Sequence, residues 1–184
     1  MKTALIIYAN GGEDTEATAA ADVLVRGGAK VIHAALNDDG GCEIKLAQGT
    51  RVLCDCNLND CKEKYDLIVI PGGLPGATHC RESKVLTAML KNQQEEGRLI
   101  GAICASPGMV LAAQGFITTQ RATGYPGTTE GIKNLSAKGV EVSDDGLLIT
   151  GKGPAFAIDF GLALLRALLG TATADKVAAG MLCK

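Results

Sequence analysis

Short apolar runs rich in β-branched residues alternate along the chain with longer segments of helical character, and this alternation constrains the fold most. The run YDLIVIPGG (65–73) is the clearest, because an apolar stretch that stops at Pro-Gly-Gly suits a parallel strand buried on both faces. Strands that alternate with helices predict an α/β fold with a doubly wound, mostly parallel sheet between helices. The 184 residues contain no repeat or linker, so we expect a single domain, 1–184.

The other elements follow from the same patterns of apolar and polar residues. Strands are predicted over TALIIYA (3–9), KVIHAAL (30–36) and RLIGAIC (98–104), with edge hairpins over 42–56 and 140–150. Helices are predicted over 14–28, 83–97 and 154–170, and another is expected to begin near Pro107. Ser83 is the expected N-cap of the second of these helices, and Pro154 is expected in the first turn of the last.

Charge and apolar patterning exclude two classes of partner. The net charge is −2 and no basic cluster is present, so we expect no nucleic acid partner. The first apolar run, five or six residues in TALIIYA, is too short for a secretory signal, and no run approaches membrane-spanning length. The expectation is therefore a cytoplasmic protein that does not enter membranes. The seven cysteines, an odd number, fit reduced thiols better than a disulfide framework.

Unusual residues stand at three predicted strand ends: NGGEDTE (10–16), PGG (71–73) and CASPG (104–108). Ligands of doubly wound sheets bind beyond the carboxyl ends of the strands. Cys104 would lie on the corner between a strand and a helix, the arrangement of a nucleophile elbow, where unpaired N–H groups lower the pKa of a thiol below about 8.5. The alternative is that Cys104 is simply a small buried hydrophobe.

A carboxylate is available at the first of these strand ends. Glu13 and Asp14 are explained by the start of the helix, where its dipole stabilises acids. Glu16 lies further along and could point into the site instead. A buried carboxyl beside a thiolate would stay protonated, because two adjacent negative charges are costly, and the two groups would titrate as a unit.

Histidine is scarce, which disfavours a Cys-His triad and with it a glutaminase or conventional cysteine protease. His33 falls in the middle of a predicted strand and is interpreted as structural, whereas His79 follows the glycine-rich loop and could approach the site.

Metal and cofactor sites are not expected. The cysteines Cys54, Cys56 and Cys61 lack the paired spacings of zinc sites. Cys54 and Cys56 are expected on the same face of one strand, in packing or in a dimer contact. No dinucleotide or P-loop motif occurs, and with three Phe, three Tyr and no Trp a flavin site is disfavoured. The prediction is a protein without a cofactor or metal.

Four segments, in this order and spacing, resemble the ThiJ/PfpI superfamily and specifically its DJ-one branch. They are GGEDTEATAAADVLVRGGAKV, YDLIVIPGGLPGA, AICASPGMVLA and GPAFAIDFGLALLRALLG. The resemblance covers essentially the whole chain. It implies a flavodoxin-like sandwich, with Cys104 as the reactive cysteine and Glu16 as its protonated partner. It also implies that the backbone N–H groups of Gly73 and Ala105 act as oxyanion-type donors.

The resemblance further implies a homodimer with the first helix at its interface. Asp22 would support the site of the neighbouring subunit, and Arg26 would be an interface arginine. Tyr125 stands where some members of the superfamily place a histidine; it can donate a hydrogen bond but is a poor base at neutral pH. The protease-like branch has a histidine directly after its cysteine, where this chain has Ala105.

The resulting functional hypothesis is a glyoxalase III-like or protein deglycase-like hydrolase or lyase that needs no cofactor. Its substrate would be methylglyoxal, a related 2-oxoaldehyde or a glycated protein. Cys104 would attack the aldehyde, and Glu16 would shuttle a proton between the two substrate carbons. The alternative is a redox sensor or chaperone of the oxidative stress response, in which Cys104 is oxidised to sulfinate. A hydratase or esterase of the wider superfamily also stays open.

Overall fold

The computed structural model describes residues 1–183 and contains a seven-stranded sheet with two small two-stranded sheets. The strands are β1 (Thr3–Ala9), β2 (Lys30–Leu36), β3 (Glu43–Lys45), β4 (Arg51–Leu53), β5 (Cys56–Asn57), β6 (Leu67–Ile70), β7 (Leu99–Ile103), β8 (Arg121–Ala122), β9 (Asn134–Leu135), β10 (Val140–Val142) and β11 (Leu148–Gly151). The large sheet has the order β10-β11-β7-β6-β1-β2-β5, and its pairings are parallel except that of β10 with β11. This confirms the predicted mostly parallel α/β sheet.

Helices cover both faces of this sheet. The α-helices are α1 (Asp14–Arg26), α2 (Leu74–Glu82), α3 (Lys84–Glu95), α4 (Ala157–Leu169) and α5 (Thr171–Gly180). Helices α1, α4 and α5 share one apolar core, whereas α2, α3 and a short π-helical segment, Pro107–Ala112, share the other. Within residues 1–183, none of the helices has both the length and the apolar composition that spanning a bilayer requires.

The continuous apolar runs are explained by this two-sided burial. Along β1, Ile6 packs into the core with α1 and α4, while Leu5 and Ile7 pack into the opposite core. Side chains of a strand point alternately to the two faces of the sheet, so a strand covered by helices on both faces needs apolar residues at every position. The strands β1, β6 and β7 lie side by side at the centre, and their carboxyl ends lie at one edge.

Most of the predicted elements are confirmed, including the two hairpins, β3 with β4 and β10 with β11. Ser83 is the N-cap of α3, since its Oγ accepts a hydrogen bond from the N–H of Leu86 at 3.2 Å. Pro154 differs from expectation: it begins a separate 3₁₀ turn, Pro154–Phe156, before α4 starts.

Two helices, α2 and α5, were not predicted. The sequence of α2, LPGATHCRE, reads as part of a glycine-rich loop because it contains Pro75 and Gly76 and few apolar residues. The proline lies in the first turn, where its missing N–H leaves no hydrogen bond unmade, so the helix tolerates it. Tertiary packing of Ala77 and Cys80 supplies the rest of its stability.

The expectation that Cys54 and Cys56 share one face of a strand is wrong. Cys54 is buried in the core with α1 and α4, whereas Cys56 packs against the core with α2 and α3. The chain leaves β4 at Leu53 and begins β5 at Cys56, and the intervening Asp55 donates its backbone N–H to His33 O at 2.9 Å. The strand alternation that would place both thiols together is therefore interrupted.

Replacement of Phe160 tests the packing of α4 on the sheet. Phe160 is fully buried, so Phe160→Ala should lower the free energy of unfolding by roughly 3–5 kcal/mol through lost burial and the cavity left behind. Ile158 lies on the same helix with 44% of its surface exposed, and Ile158→Ala should cost less than about 1 kcal/mol. Urea unfolding of both variants measures the difference, and equal losses would contradict the assignment of the buried face.

Candidate active site

Cys104 lies directly after β7 and just before the π-helical segment. Its backbone takes the left-handed conformation, with φ 65°, which a residue with a Cβ adopts only under strain. Two backbone hydrogen bonds hold it there: its N–H donates to Gly151 O at 2.9 Å, and its carbonyl accepts from the N–H of Tyr125 at 2.7 Å. The residue is 8% exposed, so only a small reactant can reach its sulfur.

Glu16 lies in the first turn of α1 and is fully buried. Its Oε2 accepts a hydrogen bond from the N–H of Gly72 at 2.7 Å, whereas Oε1 has no hydrogen-bond partner among residues 1–183. The neighbouring acids are used differently. Glu13 caps the helix by accepting from the Glu16 N–H at 2.8 Å, and Asp14 accepts from the backbone of the turn at 48–50. Only Glu16 faces the strand ends.

Two glycines let the loop after β6 fit between these groups. A Cβ on Gly72 would lie 2.5 Å from the Cβ of Cys104 and 2.8 Å from Oε2 of Glu16, so no side chain fits there. Gly73 has φ 87°, a conformation that favours glycine, and a Cβ there would lie 2.5 Å from Gly11 O. The absence of a side chain at Gly72 therefore leaves the space in which the carboxyl and the thiol approach each other.

Burial dominates the electrostatics of this pair. It raises the pKa of Glu16 to about 7, although hydrogen bonds from Gly72 and Cys104 oppose the change. It also raises the pKa of the Cys104 thiol, and a charged Glu16 raises it further. The backbone N–H groups of Gly73 and Ala105 oppose this change and lower the pKa of the Cys104 thiol. The two groups compete for one negative charge, as expected for a coupled pair.

The expectation that the corner lowers the thiol pKa overall is wrong. The segment after Cys104 is a π-helical stretch of six residues, Pro107–Ala112, instead of a long α-helix with a strong dipole. The two N–H donors therefore do not outweigh the desolvation of a nearly buried sulfur.

Comparison with known proteins relates this site to an established family. The DJ-1/PfpI family matches residues 2–167. The chain belongs to this family. Within the DJ-1/PfpI family, protein DJ-1 homolog A of Arabidopsis thaliana is 38% identical over 186 residues, which cover all of this chain and 47% of that protein. The chain thus spans about half the length of that relative.

Two further relatives match over nearly their whole length. A Caenorhabditis elegans protein named glutathione-independent glyoxalase DJR-1.2 is 38% identical over 174 residues, with 92% of this chain and 90% of that protein covered. The structure of oxidized Toxoplasma gondii DJ-1 superimposes with a TM-score of 0.94 at 36% identity, covering 100% of this chain and 99% of the other. The resemblance to the family and its flavodoxin-like fold is confirmed.

Other residues expected at the site of this DJ-1/PfpI domain have different surroundings. Tyr125 is 49% exposed, stands beside Gly153 and is joined to Cys104 through its backbone N–H. Asp22 and Arg26 form an ion pair with 2.9 Å between Oδ2 and Nε on the surface of α1, about half exposed. Neither residue hydrogen-bonds to the buried Glu16 carboxyl, so the structure does not bring them into the Cys104–Glu16 pair. Their role in a dimer stays a prediction.

Both histidines have partners away from Cys104. His33 lies in β2 with Nδ1 3.1 Å from the Tyr8 hydroxyl, consistent with a structural role. His79 lies in α2 with Nδ1 3.1 Å from Asn10 O. In the described part of the chain, neither ring hydrogen-bonds to Cys104.

Sequence reasoning missed two residues that hold the site together. One is Gly72, whose N–H binds Glu16; the signal was its place between Pro71 and Gly73. The other is Ser106, a buried residue whose Oγ donates to Pro71 O at 2.6 Å and ties the loops after β6 and β7 together. No sequence pattern distinguishes this serine from a helix-capping one.

Titration of Glu16 should make the stability of the protein depend on pH. The folded state raises the pKa from 4.5 to about 7, so between these values it binds more protons than the unfolded state, and the free energy of unfolding falls as pH rises. The loss is on the order of 3 kcal/mol. Glu16→Gln keeps an acceptor for Gly72 and does not titrate, so it should lack this loss.

Urea unfolding at about pH 5 and about pH 8 measures this dependence in the wild type and in Glu16→Gln. Equal changes in the free energy of unfolding in the two proteins would show that the carboxyl is ionised in the folded state.

Proposed function

We propose that the protein is a cofactor-independent glyoxalase, which converts methylglyoxal-type 2-oxoaldehydes to 2-hydroxy acids. It also removes the early adducts that these aldehydes form with proteins. The observation that carries the proposal is the pairing of Cys104 with a fully buried carboxyl whose Oε1 has no partner among the described residues. A free oxygen at that place can exchange a proton with a bound substrate. The relative named as a glyoxalase supports the same reaction class.

The reaction begins with proton transfer inside the pair. Glu16 takes the proton of the Cys104 thiol, which leaves a neutral carboxyl and a thiolate without changing the charge of the site. The N–H groups of Gly73 and Ala105, which already lower the pKa of the sulfur, favour this thiolate. The thiolate then attacks the aldehyde carbon, a carbon–sulfur bond forms as the C=O π bond opens, and the developing oxyanion accepts hydrogen bonds from the same region. Glu16 returns its proton to this oxygen, which gives the hemithioacetal and leaves Glu16 as the carboxylate.

Glu16 then moves a proton between the two substrate carbons. The carboxylate form removes the proton from the former aldehyde carbon, and the acid form delivers one to the neighbouring carbon, which gives a 2-hydroxy thioester. Water cleaves the carbon–sulfur bond, releases the hydroxy acid and restores the thiol. A carboxyl with a pKa of about 7 suits both steps, because it gives and takes a proton near neutral pH.

Exposure favours small substrates over glycated proteins. Cys104 is 8% exposed, so its small opening suits a free aldehyde of a few atoms better than an adduct on the surface of another protein. We therefore propose the free 2-oxoaldehyde as the main substrate and deglycation of proteins as a secondary activity. Methylglyoxal, which gives lactate, is the simplest probe.

A second candidate function rests on the same thiol. Cys104 is accessible to a peroxide, and the backbone donors at Gly73 and Ala105, with a protonated Oε1 of Glu16, would bind the oxygens of a sulfinate. The related Toxoplasma gondii protein is described in an oxidized form. Under this alternative the protein senses oxidants and has no dedicated substrate.

Lactate formation from methylglyoxal by the purified protein tests the first proposal. Cys104→Ser should abolish it, since a serine hydroxyl is not activated by the pair. Cys183→Ser, a cysteine close to the carboxyl terminus, is the matched control and should retain full activity. Lactate formation at an unchanged rate in Cys104→Ser would overturn the role of the thiol.

Replacement of Glu16 separates proton transfer from binding. Glu16→Gln keeps the volume and the acceptor for Gly72 but cannot carry the proton, so kcat should fall by about 100-fold or more. The circular dichroism spectrum should stay unchanged. Absence of turnover in the wild type itself would reject the glyoxalase, and peroxide addition that adds two oxygens to Cys104 alone would then support the sensor.

A further inference from the structure

A second pair of sulfur atoms lies outside the Cys104 site. Cys56 is the first residue of β5, and Cys61 follows the 3₁₀ turn Leu58–Asp60 that comes after it. Their Sγ atoms are 3.4 Å apart, and both are free thiols that are partly exposed. A bond between two sulfurs needs a separation of about 2.05 Å, so the two atoms must move only about 1.4 Å closer.

The backbone between the two cysteines is held in place by a buried asparagine. Asn57 is 2% exposed, and its Nδ2 donates to Asn37 O at 2.9 Å and to Gly41 O at 3.1 Å. Its Oδ1 accepts from the N–H of Asn59 at 3.0 Å, which fixes the turn. The turn is therefore closed before any sulfur–sulfur bond forms, so little conformational entropy remains to be lost on cross-linking.

The two thiols differ in access. Cys61 lines a cavity of about 290 Å³ together with Tyr65, Lys64 and Arg98, and this cavity is large enough for a small peroxide. The Cys61 thiol also lies 3.8 Å from Asn57 O, to which it donates a weak hydrogen bond. Cys56 does not line this cavity. Cys61 is therefore the sulfur that meets an oxidant first.

We propose that Cys56 and Cys61 are a modification site that forms a reversible intramolecular disulfide when a hydroperoxide oxidises the protein. The Cys61 sulfur attacks one peroxide oxygen, the O–O bond breaks, and the departing oxygen takes up a proton; Cys61 becomes a sulfenic acid. Cys56 then attacks the Cys61 sulfur and gives up its proton, and the oxygen of the sulfenic acid leaves as water. Two thiols and hydrogen peroxide thus give one disulfide and two waters.

This chemistry is independent of Cys104 and of the proposed glyoxalase activity. Cys104 and Glu16 share their site with the loop after β6, at the ends of the central strands, whereas the Cys56–Cys61 pair lies at the β5 edge of the large sheet, with β2 between β5 and β1. The cross-link joins the edge strand to the turn that follows it. It consumes peroxide without using the thiol that the aldehyde needs.

Peptide mapping of the full-length protein tests the proposal. The protein is treated with graded hydrogen peroxide, free thiols are alkylated, and a protease that cleaves before aspartate is added without reductant. The cleavage separates residues 55–59 from 60–65 and leaves Cys54 in a third peptide. The disulfide predicts that the two peptides appear as a linked pair about 2 Da lighter than their sum, and that dithiothreitol separates them.

Variants give the controls. The linked pair should form equally in Cys104→Ser and in Cys183→Ser. Cys56→Ser removes the resolving thiol, so Cys61 should stop as a sulfenic acid that dimedone traps. Far-UV circular dichroism checks the fold of each variant. Peptides 55–59 and 60–65 that both stay alkylated at doses that oxidise Cys104 would overturn the proposal, as would a disulfide to Cys54 or between two chains.

Discussion

The interaction between Cys104 and Glu16 beside Gly72 is the constraint on which the rest of the structure depends. A carboxyl with no exposed surface and a thiol with 8% exposure share the space that a side chain at position 72 would fill. Two negative charges there would be very costly, so the pair holds at most one. The positive φ of Cys104 and the Pro-Gly-Gly turn hold the thiol and the carboxyl close to each other.

The sheet supplies the position at which this contact forms. The adjacent strands β1, β6 and β7 end together, and the chain after each carries one component: Glu16, the Gly72–Gly73 turn and Cys104. Because each strand is tightly packed between two apolar cores, its end cannot shift to relieve the backbone strain at Cys104. Core packing thus stabilises a strained backbone conformation and a protonated buried carboxyl, both of which are unfavourable alone.

Much of this arrangement could be predicted from the sequence, because the fold rests on apolar periodicity and the site on strand ends. The uninterrupted run Leu67–Ile70 indicates a strand buried on both faces, and Glu16 stands apart from the acids that cap α1. What could not be predicted depends on tertiary contacts. The pKa of Cys104 is set by desolvation, which only the packed structure determines. The approach of Cys56 to Cys61 depends on a turn held by Asn57, and strand alternation gives no sign of it.

Direct titration of the Glu16 carboxyl tests the central claim that this group holds a proton near neutral pH. Carbon-13 NMR of carboxyl-labelled glutamate follows each side chain, and the Glu16→Gln variant assigns the signal. The account predicts a midpoint at about pH 7 for Glu16, well above the value of about 4.3 for an exposed glutamate. A midpoint between about 4 and 5 would contradict it, because the carboxyl would then be too weak a base to hold the proton that it takes from Cys104.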